Sequence, residues 1–410
     1  MHYLISFSMK NVLRNKRRTF LTLMGIILAV SAMIIGSSIL SGALNQVLDA
    51  SIKSSGNICI QTKAFTRSER LLPTDRGLED IEGLVEDLKK YPEIDRVIPN
   101  VKFAGLFVTN DENFASMGIS IIPEAEKDII RLQDNLVAGT YFTGGSNEAV
   151  IGVEIARKLG FKAGDQALFV TRNSYDSLAA KKFRIVGIAD FNMYEQNRTF
   201  YAGLDTVYSL LKINGRPQKA MIILRNSSDM DRVKALLVKD TYIKEHNLDV
   251  FKADEIGLFS TIFLLIPWIA RFIMALFLLS AGMTIVNTMM MTVLERTAEI
   301  GVLQSMGMKR GAAVAMIVIE STFIGLIGSA AGAAIGGPVA FYYAKNGIIL
   351  GENIARGMPI AIKNVIYPET GFGTIALIMA IGIIMAAAAG AIPAFLKILR
   401  LNPSQAIRSE

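Results

Sequence analysis

The sequence lacks most of the residues and motifs that a catalytic or metal site needs. Its single cysteine, Cys59, excludes an intramolecular disulfide, and its two histidines are His2 and His246. It contains neither an HExxH motif nor a cluster of cysteines, which argues against a metal hydrolase. It also has no GxxxxGKS or GxxxxGKT segment, so we do not expect this chain to bind ATP through a P-loop. The sequence therefore predicts no catalytic residues, no metal and no cofactor bound by the chain itself.

Charged residues are scarce in four long stretches, and the hydrophobic excess of the chain is concentrated there. Hydrophobic residues make up 51% of the 410 positions, and the mean hydropathy is +0.40. A membrane-spanning helix needs about 20 mostly apolar residues to cross ~30 Å of hydrocarbon. Four segments are long enough: residues 19–44, 258–293, 312–343 and 372–396. The predicted fold class is an α-helical membrane protein with four transmembrane helices.

Acidic residues are absent from the N-terminal segment, where Asp49 is the first of them. Five basic residues precede the first apolar stretch: Lys10, Arg14, Lys16, Arg17 and Arg18. This charge bias predicts a cytoplasmic N-terminus, and four spans return the C-terminus to the same side. Residues 1–18 predict either a short interfacial helix or a basic tail without structure. Because the positive charge flanks apolar helices, we expect a multi-pass protein of the inner (plasma) membrane and no nucleic-acid partner.

The long segment between the first two apolar stretches, residues 45–257, has the pattern of a folded α/β domain on the extracytoplasmic side. Short apolar, β-branched runs end at Gly, Asp, Asn or Pro, as strands do: NICIQ, DRVIPNV, LFVTN, GISII, EAVIGV, QALFV, FRIVGI and AMIILR. Residues 77–90 and 229–239 have helical spacing, with acidic residues early and lysines late. We expect two β-α-β units with a β-rich insertion at about 103–217. The predicted domains are 1–44, 45–257 and 258–410.

A short charged segment, residues 295–310, separates the second and third apolar stretches. It reads ERTAEIGVLQSMGMKR, and Glu295, Arg296 and Glu299 fall at helical spacing. Gly301 and Gly307 break or tighten the segment. An apolar stripe is formed by Ile300, Val302, Leu303 and Met306. This pattern predicts a short amphipathic helix on the membrane surface, suited to docking in a groove of a cytoplasmic partner; an ordinary polar connector is the alternative.

The 295–310 segment and the residues after it resemble a known family. The run ERTAEIGVLQSMGMKRGAAVAMIVIESTFIGLIGSAAGAAIG is similar to the loop and third helix of MacB/FtsX-type permeases, the type VII ABC transporters. Residues 9–30 resemble the family's N-terminal helix and first span. The family's C-terminal signature is matched by Pro403, Ala406, Ile407 and Arg408. Ala298 and Gln304 stand where the family commonly has basic residues, which leaves the electrostatics of the partner contact open.

The resemblance implies a non-catalytic membrane subunit of an ABC transporter, in which a separate ATPase dimer binds ATP and Mg. In the family the loop at 295–310 is the coupling helix that contacts this ATPase. The expected coupling residues are Glu295, Arg296, Glu299, Ile300, Gly301, Leu303, Met306 and Gly307. A second permease subunit, either identical or paralogous, is a further implied partner. Residues 45–257 resemble the family's porter-like and β-rich Sabre-like subdomains.

Residues 119–142, 147–170 and 183–190 are similar to the corresponding segments of the LolC/LolE-like branch of the family. The chain length and the lack of a fused ATPase fit that branch. That resemblance implies release of a lipoprotein or other lipid-anchored cargo, with a periplasmic carrier or adaptor as another partner. Two alternatives share the architecture: efflux or peptide export, and FtsX-like signalling to cell-wall hydrolases. A membrane-anchored enzyme conflicts with the missing catalytic motifs.

Four polar or small residues of the third apolar stretch predict helix packing. Glu320 is costly within a membrane, so we expect it to face the bundle interior or a polar partner. Gly328, Gly332 and Gly336 form consecutive GxxxG steps, which allow close helix approach. This small-residue face packs either within the chain or against a second subunit.

The second apolar stretch exceeds the length of one span at its outer end. Its surplus includes the expected lipid or cargo contacts Phe263, Leu264, Ile266 and Trp268. These residues would form a surface in the outer leaflet, or else pack beneath the extracytoplasmic domain with Trp268 as an interfacial anchor.

Overall fold

The computed structural model describes residues 16–110, 112–191, 196–349 and 365–398. The predicted interfacial helix at residues 1–18 lies almost wholly outside the described residues. The same is true of the C-terminal signature formed by Pro403, Ala406, Ile407 and Arg408.

Helices dominate both ends of the described chain, and strands dominate its middle. The helices are α1 (Lys16–Ser55), α2 (Lys63–Thr66), α3 (Ile81–Leu88), α4 (Pro123–Ile130), α5 (Val153–Leu159), α6 (Leu204–Leu211), α7 (Met230–Leu237), α8 (Thr241–Glu245), α9 (Gly257–Glu295), α10 (Thr297–Ser305), α11 (Arg310–Asn346) and α12 (Phe372–Pro393). The strands are β1 (Ile58–Thr62), β2 (Ile94–Asn100), β3 (Lys102–Val108), β4 (Asn113–Ile121), β5 (Leu136–Gly139), β6 (Glu148–Gly152), β7 (Gln166–Arg172), β8 (Leu178–Ala189), β9 (Thr199–Gly203), β10 (Lys219–Leu224), β11 (Leu248–Lys252), β12 (Ile348–Ile349) and β13 (Val365–Ile366). A π-helical turn, Ala394–Ile398, follows α12.

The chain folds into two compact units. The membrane unit comprises Met1–Ala43, Leu265–Ile348 and Ile366–Glu410, and the α/β unit comprises Leu44–Leu264 and Ile349–Val365. In the part of the chain that the structure describes, four helices are long and apolar enough to cross a membrane: Lys16–Ser55, Phe259–Glu295, Arg310–Asn346 and Phe372–Ile398. The predicted fold class, four membrane helices with an α/β domain between the first two, is confirmed.

Helix α1 is longer than the sequence predicts. The prediction ended it at residue 44 and was wrong, because the helix continues to Ser55. The added turns are less apolar, but they keep a helical spacing of buried residues at Val47, Ala50 and Ser51. The Ser51 hydroxyl donates to the carbonyl of Ala253 and so fixes this part of the helix within the α/β unit. Hydropathy marked the end of the apolar run and not the end of the helix.

A four-stranded antiparallel sheet, ordered β11-β1-β10-β2, forms one part of the α/β unit. Helix α3 lies between β1 and β2 along the chain, and α7 lies between β10 and β11, which is the split β-α-β arrangement. Leu84 and Leu88 of α3, with Val233 and Leu237 of α7, share a core with the sheet. This subdomain is therefore built from two chain segments.

The described residues between β2 and β10 form a closed β-barrel. Its strand order is β5-β8-β6-β9-β4-β3-β7, and β7 also pairs with β8, so six strands form a ring and β5 is added outside it. Five phenylalanines fill the interior at edge-to-face and tilted contacts: Phe103, Phe107, Phe169, Phe183 and Phe200. Closure leaves the ring without free strand edges.

Candidate coupling site

The 295–310 segment contains a separate short helix, α10, between the ends of α9 and α11. Arg296 leaves the helical conformation at φ −106° and ψ 12°, which divides α9 from α10. At the other end Gly307 has a φ of +99°, a backbone region that favours glycine. The Met308 amide donates to the Leu303 carbonyl at 3.0 Å and the Gly307 amide to the Gln304 carbonyl at 3.1 Å, which is the Schellman pattern. Gly307 therefore ends α10, whereas Gly301 lies buried inside it.

The side chain of Arg296 points into the membrane unit. Only 11% of it is exposed, and its Nη1 donates to Oε2 of Glu320 on α11 at 3.4 Å. Its Nε donates to Oε2 of Glu299, one turn into α10, at 3.1 Å. Just beyond, Ile300 is buried in the same core as Ile317 of α11. Arg296 and Glu320, which the sequence assigned to separate roles, are thus brought together.

A second charged contact ties α1 to the end of α9. Arg18 Nη1 donates to Oε2 of Glu295 at 3.1 Å, and its Nη2 donates to the carbonyl oxygen of Thr288. One turn further along α1, the hydroxyls of Thr22 and Thr288 lie 2.9 Å apart. Arg18 was interpreted from the sequence only as an orienting charge, and its contact with Glu295 was not predicted. No local signal identifies it, because Arg18 and Glu295 are distant in the chain.

The predicted coupling residues divide between two sides of the segment. Arg296, Ile300 and Gly301 are buried and Leu303 is half-buried, whereas Glu295, Glu299, Met306 and Gly307 are exposed. The predicted apolar stripe therefore does not form a single face. Ile300 is buried on the inner side, and Val302 and Met306 are 46% and 79% exposed. Together with exposed Ala298 they form an outward row at i, i+4 and i+8, which we call the outer row. Val302 belonged to the predicted apolar stripe but not to the expected coupling residues, and Ala298 was noted only as a position where the family commonly has a basic residue.

The three glycines of the GxxxG steps face α1. A Cβ on Gly328 would lie 2.8 Å from Ile26, one on Gly332 would lie 2.8 Å from Val30, and one on Gly336 would lie 2.9 Å from the Cα of Ser31. The neighbouring ridge of α11 meets α12, where a Cβ on Gly390 would overlap Ser321 and one on Gly325 would lie 2.4 Å from Ala386. Packing within the chain thus accounts for the glycines, and Glu320 of the same helix is also buried.

The apolar surplus at the start of α9 presents an exposed row. Leu264 and Trp268 are 64% and 63% exposed, whereas Phe263 and Ile266 are half-buried. The Arg271 guanidinium lies 5.1 Å from the centre of the Trp268 ring, a cation–π contact. Two of the four predicted lipid contacts are therefore available on one helix face.

Among the described residues, no three His, Cys, Asp or Glu side chains lie close enough together to hold a metal ion. The polar groups of the 295–310 segment are instead arranged as ion pairs between helices. Such an arrangement can fix the position of a short helix and present its outer surface to another protein.

Two protein-family models match the chain. The model of the MacB-like periplasmic core domain matches residues 19–239, and the model of the FtsX-like permease C-terminal region matches residues 271–403. The first match covers more than half of the chain, and the second contains α10, α11 and α12.

Several curated proteins are similar over most of this chain. A macrolide export ATP-binding/permease protein, MacB of Aggregatibacter actinomycetemcomitans, is 26% identical over 79% of the chain and 51% of its own length. The uncharacterized ABC transporter permease YknZ of Bacillus subtilis is 24% identical over 99% of the chain and 98% of its own length. LolC of Neisseria meningitidis, a transmembrane protein of a lipoprotein-releasing system, is 21% identical over 84% and 80%. The chain thus spans about half the length of the MacB relative and nearly all of YknZ.

Proposed function

Since the chain belongs to the family of MacB- and FtsX-like ABC transporter permeases, we propose that it couples ATP hydrolysis by a partner ATPase to movement of its α/β unit. The observation that supports this most directly is the construction of α10. Its inner side is held by Arg296 and Ile300, and its outer row offers exposed Val302 and Met306. A short helix that is anchored on one side and apolar on the other is suited to docking in a groove of a partner.

The proposed transmission runs from α10 into the helices that adjoin it. The partner is a dimer of ABC ATPase subunits, which hold ATP and Mg, and a second permease subunit completes the transporter. Closure of the ATPases would displace α10. The Arg296–Glu320 contact passes this displacement to α11, and the contact of Arg18 with Glu295 links α9 to α1. Because α1 and α9 flank the α/β unit in the chain, they are the elements that would move it.

The proposed orientation has both termini and α10 on the cytoplasmic side of the inner membrane, with the α/β unit outside. It is supported by the basic residues before and within the first turn of α1, Lys16, Arg17 and Arg18 among them. Lys309 and Arg310 next to α10 have the same sign. This orientation puts the outer row of α10 in the compartment where ATP is available.

The docking role of the outer row can be tested by substitution. We expect Val302→Asp and Met306→Asp each to weaken binding of the cognate ABC ATPase about tenfold, since a charge replaces an apolar side chain of the proposed docking surface. Both side chains are exposed, so the melting temperature of the detergent-purified permease should stay near wild type. The measurement is a titration of the ATPase against the permease, read as stimulated ATP hydrolysis.

Met306→Leu is the matched control for this docking test, because it keeps the apolar surface and should bind like wild type. Wild-type affinity in both aspartate variants would show that the ATPase docks elsewhere and would remove α10 from the proposed mechanism.

For the cargo we propose a lipoprotein or other lipid-anchored molecule, with a periplasmic carrier or adaptor receiving it. Support comes from the exposed apolar row of α9 and from the lipoprotein-releasing relative. Acyl chains gain about 0.8 kcal/mol for each methylene that they bury, in a protein surface or in the bilayer. Entry of a chain onto Leu264 and Trp268 would then be nearly neutral, and ATP would be required for release.

Photo-crosslinking tests this cargo assignment. A photoreactive residue at Leu264 or Trp268 should capture an acylated lipoprotein in membranes, whereas one at Leu326 of α11 should not, although Leu326 is also exposed. Crosslinks restricted to the α/β unit would contradict the assignment. They would favour the alternatives, which are efflux or peptide export and FtsX-like signalling to cell-wall hydrolases.

A further inference from the structure

Arg296 occupies the one residue that separates α9 from α10, and its side chain is directed away from the surface where a partner would dock. Its guanidinium lies between Glu299 of α10 and Glu320 of α11. The Arg296 and Glu320 side chains are 11% and 6% exposed. Arg296 is therefore connected to the short helix and to a membrane helix at the same time.

A charge pair at this place is costly to maintain. Glu320 lies within the membrane-spanning part of α11, where an ionised side chain without compensation is strongly disfavoured. Well-packed apolar side chains of similar volume usually serve stability equally well. Stability alone gives no reason for a charge pair here, whereas fixing the position of α10 relative to α11 does.

Packing around the pair supports such a positioning role. Ile300, one turn after Arg296, is buried in the core that also contains Ala313 and Ile317 of α11. The Schellman turn at Gly307 connects α10 back to α11 through only a few residues. The inner side of α10 thus has two attachments to α11, one polar and one apolar, and both lie opposite the outer row.

We propose that Arg296 and Glu320 are positioning residues that make α10 and α11 move as one body, so that displacement of α10 by a partner is transmitted to the membrane helices. This inference rests on the proposed coupling function. Neither side chain touches ATP or cargo in this proposal, and the outer row remains the docking surface. The pair therefore affects how far the displacement of α10 is transmitted to the membrane helices, and it does not affect the affinity for the partner.

Loss of the Arg296–Glu320 pair should lower the maximal permease-stimulated ATPase rate and leave the affinity for the ATPase nearly unchanged. In Glu320→Gln and Arg296→Gln, half-saturation by the cognate ABC ATPase should change by less than about threefold. The maximal permease-stimulated ATPase rate in proteoliposomes should fall roughly tenfold, within the roughly 2- to 30-fold range typical of residues that carry coupling between sites. The matched control is Thr322→Val, whose hydroxyl donates to the Val318 carbonyl within α11 itself, and it should behave like wild type.

Two double variants test whether the pairing matters and not the single residues. One exchanges the charges, Arg296→Glu with Glu320→Arg, and the other is apolar, Arg296→Met with Glu320→Leu. At least one should recover the maximal rate to within about threefold of wild type. If both double variants fold and neither recovers the maximal rate, the Arg296–Glu320 pair does not couple α10 to α11. A Glu320 that carries a proton during transport would give that result.

A distance measurement gives a readout that needs no partner. With Cys59 replaced by Ala, spin labels at Ser305 and Leu326 report the separation of α10 and α11 in the permease alone. Glu320→Gln should broaden the distance distribution, and a rescuing double variant should narrow it again. An unchanged distribution in Glu320→Gln would overturn the proposal. If wild-type permease binds no ATPase, the proposed function fails, and the distance measurement still decides whether the pair positions α10.

Discussion

Replacing Gly336 by Leu is expected to prevent most of the permease from folding. A Cβ at this position would lie 2.9 Å from the Cα and 3.0 Å from the carbonyl oxygen of Ser31 on α1. These are backbone atoms, so no rotamer change can make room, and α11 would have to move away from α1. Overpacking usually costs about 1–3 kcal/mol, and we expect a value at or above the top of that range here. The measurement is the folded, monodisperse fraction and melting temperature of the purified chain.

Gly36→Leu is the matched control for this experiment. It adds the same side chain to α1, at an exposed glycine whose Cβ would have no atom within 4 Å. It should fold like wild type in a lipid or detergent environment, where an outward Leu is well solvated. If Gly336→Leu folds normally but no longer assembles with a second permease subunit, then the GxxxG face of α11 is a subunit interface.

Glu126→Gln is expected to stabilise the α/β unit at pH 8 by about 3 kcal/mol and to have little effect below pH 4.5. The Glu126 side chain is fully buried on α4, where its Oε1 accepts a hydrogen bond from the Ile122 amide at 2.7 Å and its Oε2 has no hydrogen-bond partner among the described residues. Burial raises the pKa of this carboxyl from 4.5 to about 7, although the Ile122 amide acts in the opposite direction. A tenfold change in the ionisation constant of a group corresponds to about 1.4 kcal/mol.

The direction of the pH dependence follows from which state ionises first. Below pH 4.5 the carboxyl is neutral in both the folded and the unfolded chain, and it does not affect stability. Between pH 4.5 and about 7 the unfolded chain loses the proton first, so the folded state becomes less stable as pH rises. Above pH 7 both states are ionised and the loss remains constant. Glutamine keeps the shape and the acceptor for Ile122 but does not ionise, so it removes this loss.

Hydrogen exchange of β6 and β9 can measure this effect in the intact protein, converted to opening free energies at pH 5 and pH 8. The control is Glu124→Gln, on the exposed side of the same helix, which should change neither value beyond about 0.5 kcal/mol. Equal opening free energies for wild type and Glu126→Gln at pH 8 would show that the carboxylate is solvated or paired in solution.

The architecture could be predicted from the sequence because its signals are local, each carried by residues that are close together in the chain. Membrane spans follow from the length of apolar runs, and the strands of the α/β unit follow from short β-rich runs between turn residues. The end of α1 was missed because apolar content and helical conformation stop at different residues, the first near residue 44 and the second at Ser55. Strands β5, β9, β12 and β13 were not identified, since β5, β12 and β13 are four residues or shorter and β9 is a short run next to α6.

The sequence predicted which segment forms the candidate coupling site, but it did not predict the contacts of its side chains. The spacing of Glu295, Arg296 and Glu299 indicated a helix, yet Arg296 proved to be buried against Glu320 while Glu295 meets Arg18. The apolar residues of the segment also divided, with Ile300 inside and Met306 outside. Helical spacing states which residues share a side of α10, but it does not state which side meets the rest of the molecule.

By itself, the sequence determined the four spans, the α/β domain between the first two and the family resemblance, because each depends on residues close together in the chain. Only the tertiary structure decided that Gly336 meets α1, that Arg296 pairs with Glu320 and that Leu264 and Trp268 are exposed. In a membrane helix the lipid-facing side is as apolar as the side facing its neighbours, so hydrophobicity cannot distinguish the two. That choice depends on contacts between residues far apart in the sequence, which only the folded chain brings together.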